Sequence, residues 1–200
     1  MQSSRLIERG EYVEMPWRNG GGVTFEIARE PAAGPKFDWR LSLAMIERSG
    51  PFSNFAGYQR AIALVSGAGC VLNGIAARAL VLDAPGLFAI FPGAAQVTSD
   101  LVEGTCCDLN LMVREPGRIV RVQHLHTTQG EGESLDENYH NAVFCLSGAL
   151  ECVDITDGRR IALGLHDTLI VDPVNAGRWR VHAGNPAAMA LTLAWDTVPA

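Results

Sequence analysis

The chain is short of several things, and each shortage excludes a class of function. It has one lysine, Lys36, against fifteen arginines spread along its length. No basic stripe forms, so nucleic acid is not an expected partner. No apolar run approaches the length that spans a bilayer, and Met1–Arg5 leads into charged residues with no apolar signal stretch. The expectation is a cytoplasmic protein with no membrane partner. No nucleophile elbow, P-loop or dinucleotide fingerprint occurs. The five cysteines, Cys70, Cys106, Cys107, Cys145 and Cys152, include no C-x-x-C pair and sit within apolar runs, which suits buried structural thiols. Helical periodicity is scarce as well.

What is present is enough apolar material for a core. Apolar residues make 48% of the 200, charged residues 19%, and the net charge is −6. That composition is globular, and the small acidic excess serves solubility. Apolar runs of four to eight residues, bounded by Gly, Pro, Asn or Asp, predict many short strands. Thirteen are expected: Thr24–Ala28, Trp39–Glu47, Arg60–Ser66, Arg78–Leu82, Leu87–Phe91 and Cys106–Arg114, then Ile119–Leu125, Ala142–Ser147, Leu150–Asp154, Arg160–Leu163, Thr168–Val171, Arg178–His182 and Met189–Trp195.

The chain also repeats itself. Ala61–Ala68 matches Ala142–Ala149 at an offset of 81, through a shared Ser-Gly-Ala turn. Gly86–Pro92 resembles Gly164–Pro173, and Asp108–Met112 parallels Ala190–Ala194. A repeat of this period predicts two related β-units. The expected fold is all-β, a double β-barrel jelly roll. Residues 1–115 would form an N-terminal barrel with the ligand pocket, and residues 116–200 a degenerate C-terminal barrel, the two packed as one compact unit.

The densest unusual stretch is Met15–Thr24, which holds Trp17, Asn19 and Gly20-Gly21-Gly22. Consecutive glycines permit positive φ and close backbone approach. Their N–H groups can form an anion-binding concavity, beside an asparagine that both donates and accepts. On Trp39–Met45, strand alternation puts Arg40, Ser42 and Ala44 on one face. On Cys106–Met112 it pairs Asp108 with Asn110. These four polar residues converge if that face is the barrel interior. They form an ordinary solvated face if it is not, and alternation alone favours the latter. Arg60 opens the strand before the first Ser-Gly turn. Two arginines near a glycine nest suit a carboxylate, because the guanidinium fork pairs with it bidentately. His124 and His126 share a strand face, but a metal site needs three or four oriented ligands. Glu137 and His140 make no motif with them, and His166 and His182 stand alone. No metal is expected.

Met15–Thr24, Trp39–Ala44, Gly50–Ser53 and Asp108–Met112 together resemble the HutD/Ves family. The match runs in order from about Met15 to Arg114; beyond that it rests on the repeat. The resemblance implies a bicupin of RmlC-like architecture. Cupins usually hold a metal with His-x-His, Glu and a later His. Here the stretch Phe52–Arg60 has no histidine, and its counterpart in the second half has only His140, so the cupin metal set is missing. The resemblance further implies a bacterial protein tied to histidine utilisation. Its role would be to bind or sense a small acid, formylglutamate or a related one, with no cofactor and no catalytic residue. The pocket residues carried over are Trp17, Asn19, Gly20, Gly21, Thr24, Arg40, Ser42, Arg60, Asp108 and Asn110. One alternative is a cupin-type enzyme, an isomerase or dioxygenase acting on a small acidic metabolite, with Asp108 as base or His124, His126 and His140 as metal ligands. Another is a protein-binding role for the glycine loop.

Overall fold

A computed structural model describes residues 4–126, 132–185 and 188–197. Among them the strands are β1 (Ser4–Ile7), β2 (Val13–Pro16), β3 (Gly22–Glu30), β4 (Trp39–Ile46), β5 (Gly50–Pro51), β6 (Tyr58–Ser66), β7 (Cys70–Asn73), β8 (Leu80–Leu82), β9 (Phe88–Pro92), β10 (Thr98–Leu101) and β11 (Cys106–Arg114). The chain continues through β12 (Ile119–His126), β13 (Glu133–Ser134), β14 (His140–Ser147), β15 (Leu150–Asp154), β16 (Arg160–Leu163), β17 (Thr168–Val171), β18 (Trp179–Ala183) and β19 (Met189–Trp195). Two short 3-10 turns are the described helical elements. No helix among the described residues is long and apolar enough to cross a membrane.

The chain divides into two compact units. Val13–Ile119, with Thr197, form the first; the described residues of 1–12 and 120–196 form the second. The first unit has a six-stranded sheet, β2-β3-β4-β11-β6-β9, and a four-stranded sheet, β5-β10-β7-β8. Ile46, Ile62 and Leu64 of the large sheet pack with Cys70, Leu72 and Leu82 of the small one. The second unit repeats the plan with β1-β17-β14-β19-β12 and β13-β18-β15-β16. Its core joins Val143 and Cys145 to Cys152, Ile161, Trp179 and Val181. Each unit is thus a two-sheet jelly roll rather than a closed ring of strands.

The internal repeat has a structural counterpart. Gly67 and Gly148, which follow the matching serines, both have positive φ, +92° and +70°. A Cβ at Gly67 would stand 2.4 Å from the Thr105 carbonyl oxygen, and one at Gly148 2.9 Å from Ala188 Cα. The register shifts just before each turn, skipping Val65 of β6 against β11 in one unit and Leu146 of β14 against β19 in the other. Close backbone approach explains why both turns need glycine.

Six strands were not expected: β1, β2, β5, β7, β10 and β13. Most are short or polar. β2 ends in Pro16, which is tolerated because β2 is an edge strand with no ladder bond to lose on that side. β1 pairs with β17, Ser4 opposite Val171 and Ile7 opposite Thr168. The N-terminal segment therefore belongs to the second unit, where the division at 1–115 had put it with the first. All five cysteines are buried and none is in a disulfide.

Candidate functional site

Register places the polar residues of the first unit in rows on one face of the large sheet. Thr24, Ala44, Asp108 and Leu64 make the first row across β3, β4, β11 and β6. Glu26, Ser42, Asn110 and Ile62 make the second, and Arg40, Met112 and Arg60 belong to the third. Ile62 and Leu64 are core residues, so this face points inward. The opposite face holds Leu41, Leu43, Leu109 and Leu111, all nearly without exposure. The solvated-face reading is therefore overturned. Ser42, Arg60, Asp108 and Asn110 are 2, 5, 3 and 7% exposed. Alternation reveals which residues share a face, but a polar interior and a wet surface have the same period.

These residues line a cavity of about 440 Å³. It takes in Trp17, Asn19, Thr24, Arg40, Ser42, Arg60, Asp108 and Asn110, eight of the ten expected residues. Gly20 and Gly21 do not line it. The Gly20 N–H donates to the Trp17 carbonyl at 3.0 Å, and the Gly21 N–H to Asn19 Oδ1 at 3.0 Å. Both donors expected for an anion are thus engaged within the turn. Gly22 is present for space, since a Cβ there would lie 2.1 Å from the Met45 carbonyl oxygen. Gly21 instead borders a smaller adjoining cavity of about 140 Å³ with Arg48 and Ser49. The indole Nε1 of Trp17 donates to Thr24 Oγ1 at 2.8 Å, which fixes the ring at the cavity wall.

The sequence reading missed the aromatic surroundings of the two arginines. Arg60 stands over Phe52, Phe55 and Phe91 at 5.3, 5.3 and 5.2 Å from the ring centroids. Arg40 stands over Phe37 and Phe55 at 5.1 and 5.6 Å. Ring quadrupoles stabilise a desolvated guanidinium and leave its in-plane donors free. Phe52 and Phe55 come from Gly50–Tyr58, a stretch visible in the sequence but given no role there. Met15, Pro16, Arg18, Ala44, Pro51, Ser53 and Met112 complete the lining.

The electrostatics are unbalanced. Among the described residues neither Arg40 nor Arg60 has a carboxylate in ion-pair contact. Arg60 donates to the Ser53 carbonyl at 3.5 Å, and Arg40 points a donor at Met112 Sδ at 3.7 Å. Burial lowers the Arg60 pKa to about 10, with Asp108 opposing the shift and Arg40 adding to it. Burial also lowers that of Arg40. Asp108 is pushed up to about 7 by burial, against the pull of Arg60. Four buried atoms of lining residues have no hydrogen-bond partner: Arg40 Nε, Arg60 Nε, Asp108 Oδ1 and Asn110 Oδ1. Buried polar atoms are nearly always paired, so a cluster of orphans on one wall marks a place where a ligand or water completes the bonding.

A cupin metal does not fit this wall. Asp108 is the one carboxylate in the lining, which has no histidine or cysteine, and three arginines, Arg18, Arg40 and Arg60, line the same space. A divalent ion needs three or four donors and no neighbouring cations. Of the alternative metal set, the side chain of His126 lies outside the described residues. Among the described residues no three His, Cys, Asp or Glu side chains stand together as ligands.

The HutD family model matches residues 9–190. The chain belongs to the HutD family. A 21.2 kDa protein of the hutC 3' region of Pseudomonas putida is 37% identical over 174 residues, 84% of this chain and 87% of that protein. Protein Ves of Citrobacter koseri is 36% identical over 142 residues, 69% of this chain and 70% of that protein. Among solved structures, a conserved protein of Pseudomonas aeruginosa PAO1 superposes with a TM-score of 0.86 at 31% identity, covering 97% of this chain and 99% of that one. HutD from Pseudomonas fluorescens SBW25, described in a formate condition, gives 0.79 at 32%, covering 98 and 100%. A cupin 2 conserved barrel protein from Leptotrichia buccalis, at 14% identity and a TM-score of 0.56 with 99 and 98% coverage, shares the fold. The HutD chain described here is thus a cupin-like double jelly roll.

Proposed function

We infer that the first unit's cavity binds a small dicarboxylic acid, N-formylglutamate or a related intermediate of histidine degradation, without metal or cofactor. The protein then acts as a sensor or regulator of that acid rather than as its enzyme. The observation carrying this reading is the pair of arginines without ion pairs, held on aromatic rings and lining one cavity, each with a buried Nε that has no partner. A carboxylate satisfies a guanidinium with two parallel bonds, so two carboxylates match two arginines. Asn110, between the arginine row and Asp108, suits an amide or formyl group, since its side chain both accepts and donates. The hutC-region relative and the formate condition of the Pseudomonas fluorescens protein support the pathway and the carboxylate class.

Thermal denaturation with each histidine-degradation intermediate tests the reading. A one-site ligand at a hundred times its Kd stabilises the folded protein by about 2.7 kcal/mol. The expected result is a clear rise in Tm with N-formyl-L-glutamate, absent in Arg60→Met. No rise with any intermediate at millimolar concentration contradicts it.

A further inference from the structure

We propose that Asp108 enters the complex as the neutral carboxylic acid, so that a dianionic ligand is taken up together with one proton and an oxygen acceptor is selected over an ammonium group. The inference rests on the dicarboxylate reading above and names the residue that sets specificity within it.

The argument begins with what faces Asp108. Its row neighbours on β3 and β4, Thr24 and Ala44, do not titrate. From β6 comes Arg60, the one cation that favours its charged form, and from β7 comes Cys70, which disfavours it. On its own strand Cys106 is a buried thiol. Arg40 of β4 acts on Arg60, and Glu26 of β3 acts on Arg40. Asp108 Oδ1 is buried with no partner. The charged form of Asp108 therefore depends on Arg60 alone.

A ligand carboxylate competes for that same guanidinium. Once it pairs with Arg60, Asp108 loses its only electrostatic support and gains a nearby negative charge, which disfavours ionisation. Charge balance agrees. Arg40, Arg60 and a dianion are neutral together only if Asp108 is uncharged, since Arg18 of the lining is exposed and screened by solvent, and an unbalanced buried charge is strongly disfavoured. A neutral carboxyl is a hydrogen-bond donor. It can bond a formyl or carboxylate oxygen of the ligand, whereas an ammonium would call for the ionised form. The site should thus prefer an N-acylated dicarboxylate to the corresponding free amino acid.

Free Asp108 titrates near pH 7, so the sign is fixed. Affinity is flat below pH 7 and weakens above it, by up to tenfold per pH unit, as the proton must be taken from solvent. The experiment is calorimetric titration of the full-length protein with N-formyl-L-glutamate from pH 6 to 8.5, in buffers of low and high ionisation enthalpy. The expected result is close to one proton taken up per ligand at pH 8, a pH-dependent Kd, and weaker binding of L-glutamate. Asp108→Asn, whose amide donates without titrating, should show no proton uptake and a flat pH profile. Binding by wild type with no proton uptake and no pH dependence overturns the inference while the dicarboxylate reading stands. So does tighter binding of L-glutamate. Absence of binding at every pH overturns both.

Discussion

The two units share a strand plan and differ in what fills them. The offset that aligns the Ser-Gly turns sets Arg60 against Asn141, Ile62 against Val143 and Leu64 against Cys145. The parallel of β11 with β19 sets Asp108 against Ala190 and Asn110 against Thr192. In the second unit Asn141 is satisfied locally, donating to the Asp136 and Tyr139 carbonyls at 2.8 Å each. Leu72 faces Ser99 in one small sheet, and Cys152 faces Val181 in the other. Two residues before those partners stand Val97 and Trp179. Trp179 is fully buried within the second core. Alanine, threonine and a locally bonded asparagine thus stand where the first unit has Asp108, Asn110 and Arg60. The same architecture thus gives a packed core in each unit, and in the first a charged cavity as well. Stability is given up at that cavity for a binding site, the usual trade between function and packing.

Five substitutions probe that contrast. Trp179→Ala should have the largest effect, a loss of about 3–5 kcal/mol in chemical denaturation, because it opens a cavity in a filled core. Asp108→Asn should stabilise the protein at pH 8. The folded pKa of Asp108 lies above its unfolded value of 3.8, so the stabilising contribution is complete below that value and disappears as pH rises through 7. The variant's gain in stability should therefore be marked at pH 8 and small at pH 4, on the order of 2–4 kcal/mol at the upper end. Arg60→Met should raise stability by about 1–2 kcal/mol at pH 5, where Asp108 is protonated and loses no partner, since a buried charge without an ion pair gives way to an apolar side chain of similar length. The same change should abolish anion binding in the thermal assay. Thr192→Val should have the smallest effect, a gain of about 0.5–1 kcal/mol, because its buried Oγ1 has no partner. Its counterpart Asn110→Ala should instead be read in lost affinity. If Arg60→Met proves as destabilising as Trp179→Ala, the chamber is a structural core and the contrast fails.

Much of this was legible before any coordinates. The repeat implied two units, and eight of the ten residues expected at the site share one cavity. The glycines misled because Gly20 and Gly21 use their N–H groups to close their own turn. Asp108 and Asn110 read as a wet face because a period of two cannot say which side of a sheet is outside. The phenylalanines under the arginines were invisible as partners. Phe37, the Phe52–Phe55 stretch and Phe91 come from three separate parts of the chain, and only the fold brings them to two guanidiniums. β1 was missed because Ser4–Ile7 is short, and its pairing with β17 is set across more than 160 residues.

A crystal structure of the protein soaked with N-formyl-L-glutamate tests the central claim most directly. The account predicts density for the ligand in the first unit's cavity, with carboxylate oxygens within hydrogen-bond distance of both Arg40 and Arg60 and none in the second unit's core. An empty cavity at a saturating concentration, or a ligand bound away from both arginines, contradicts it.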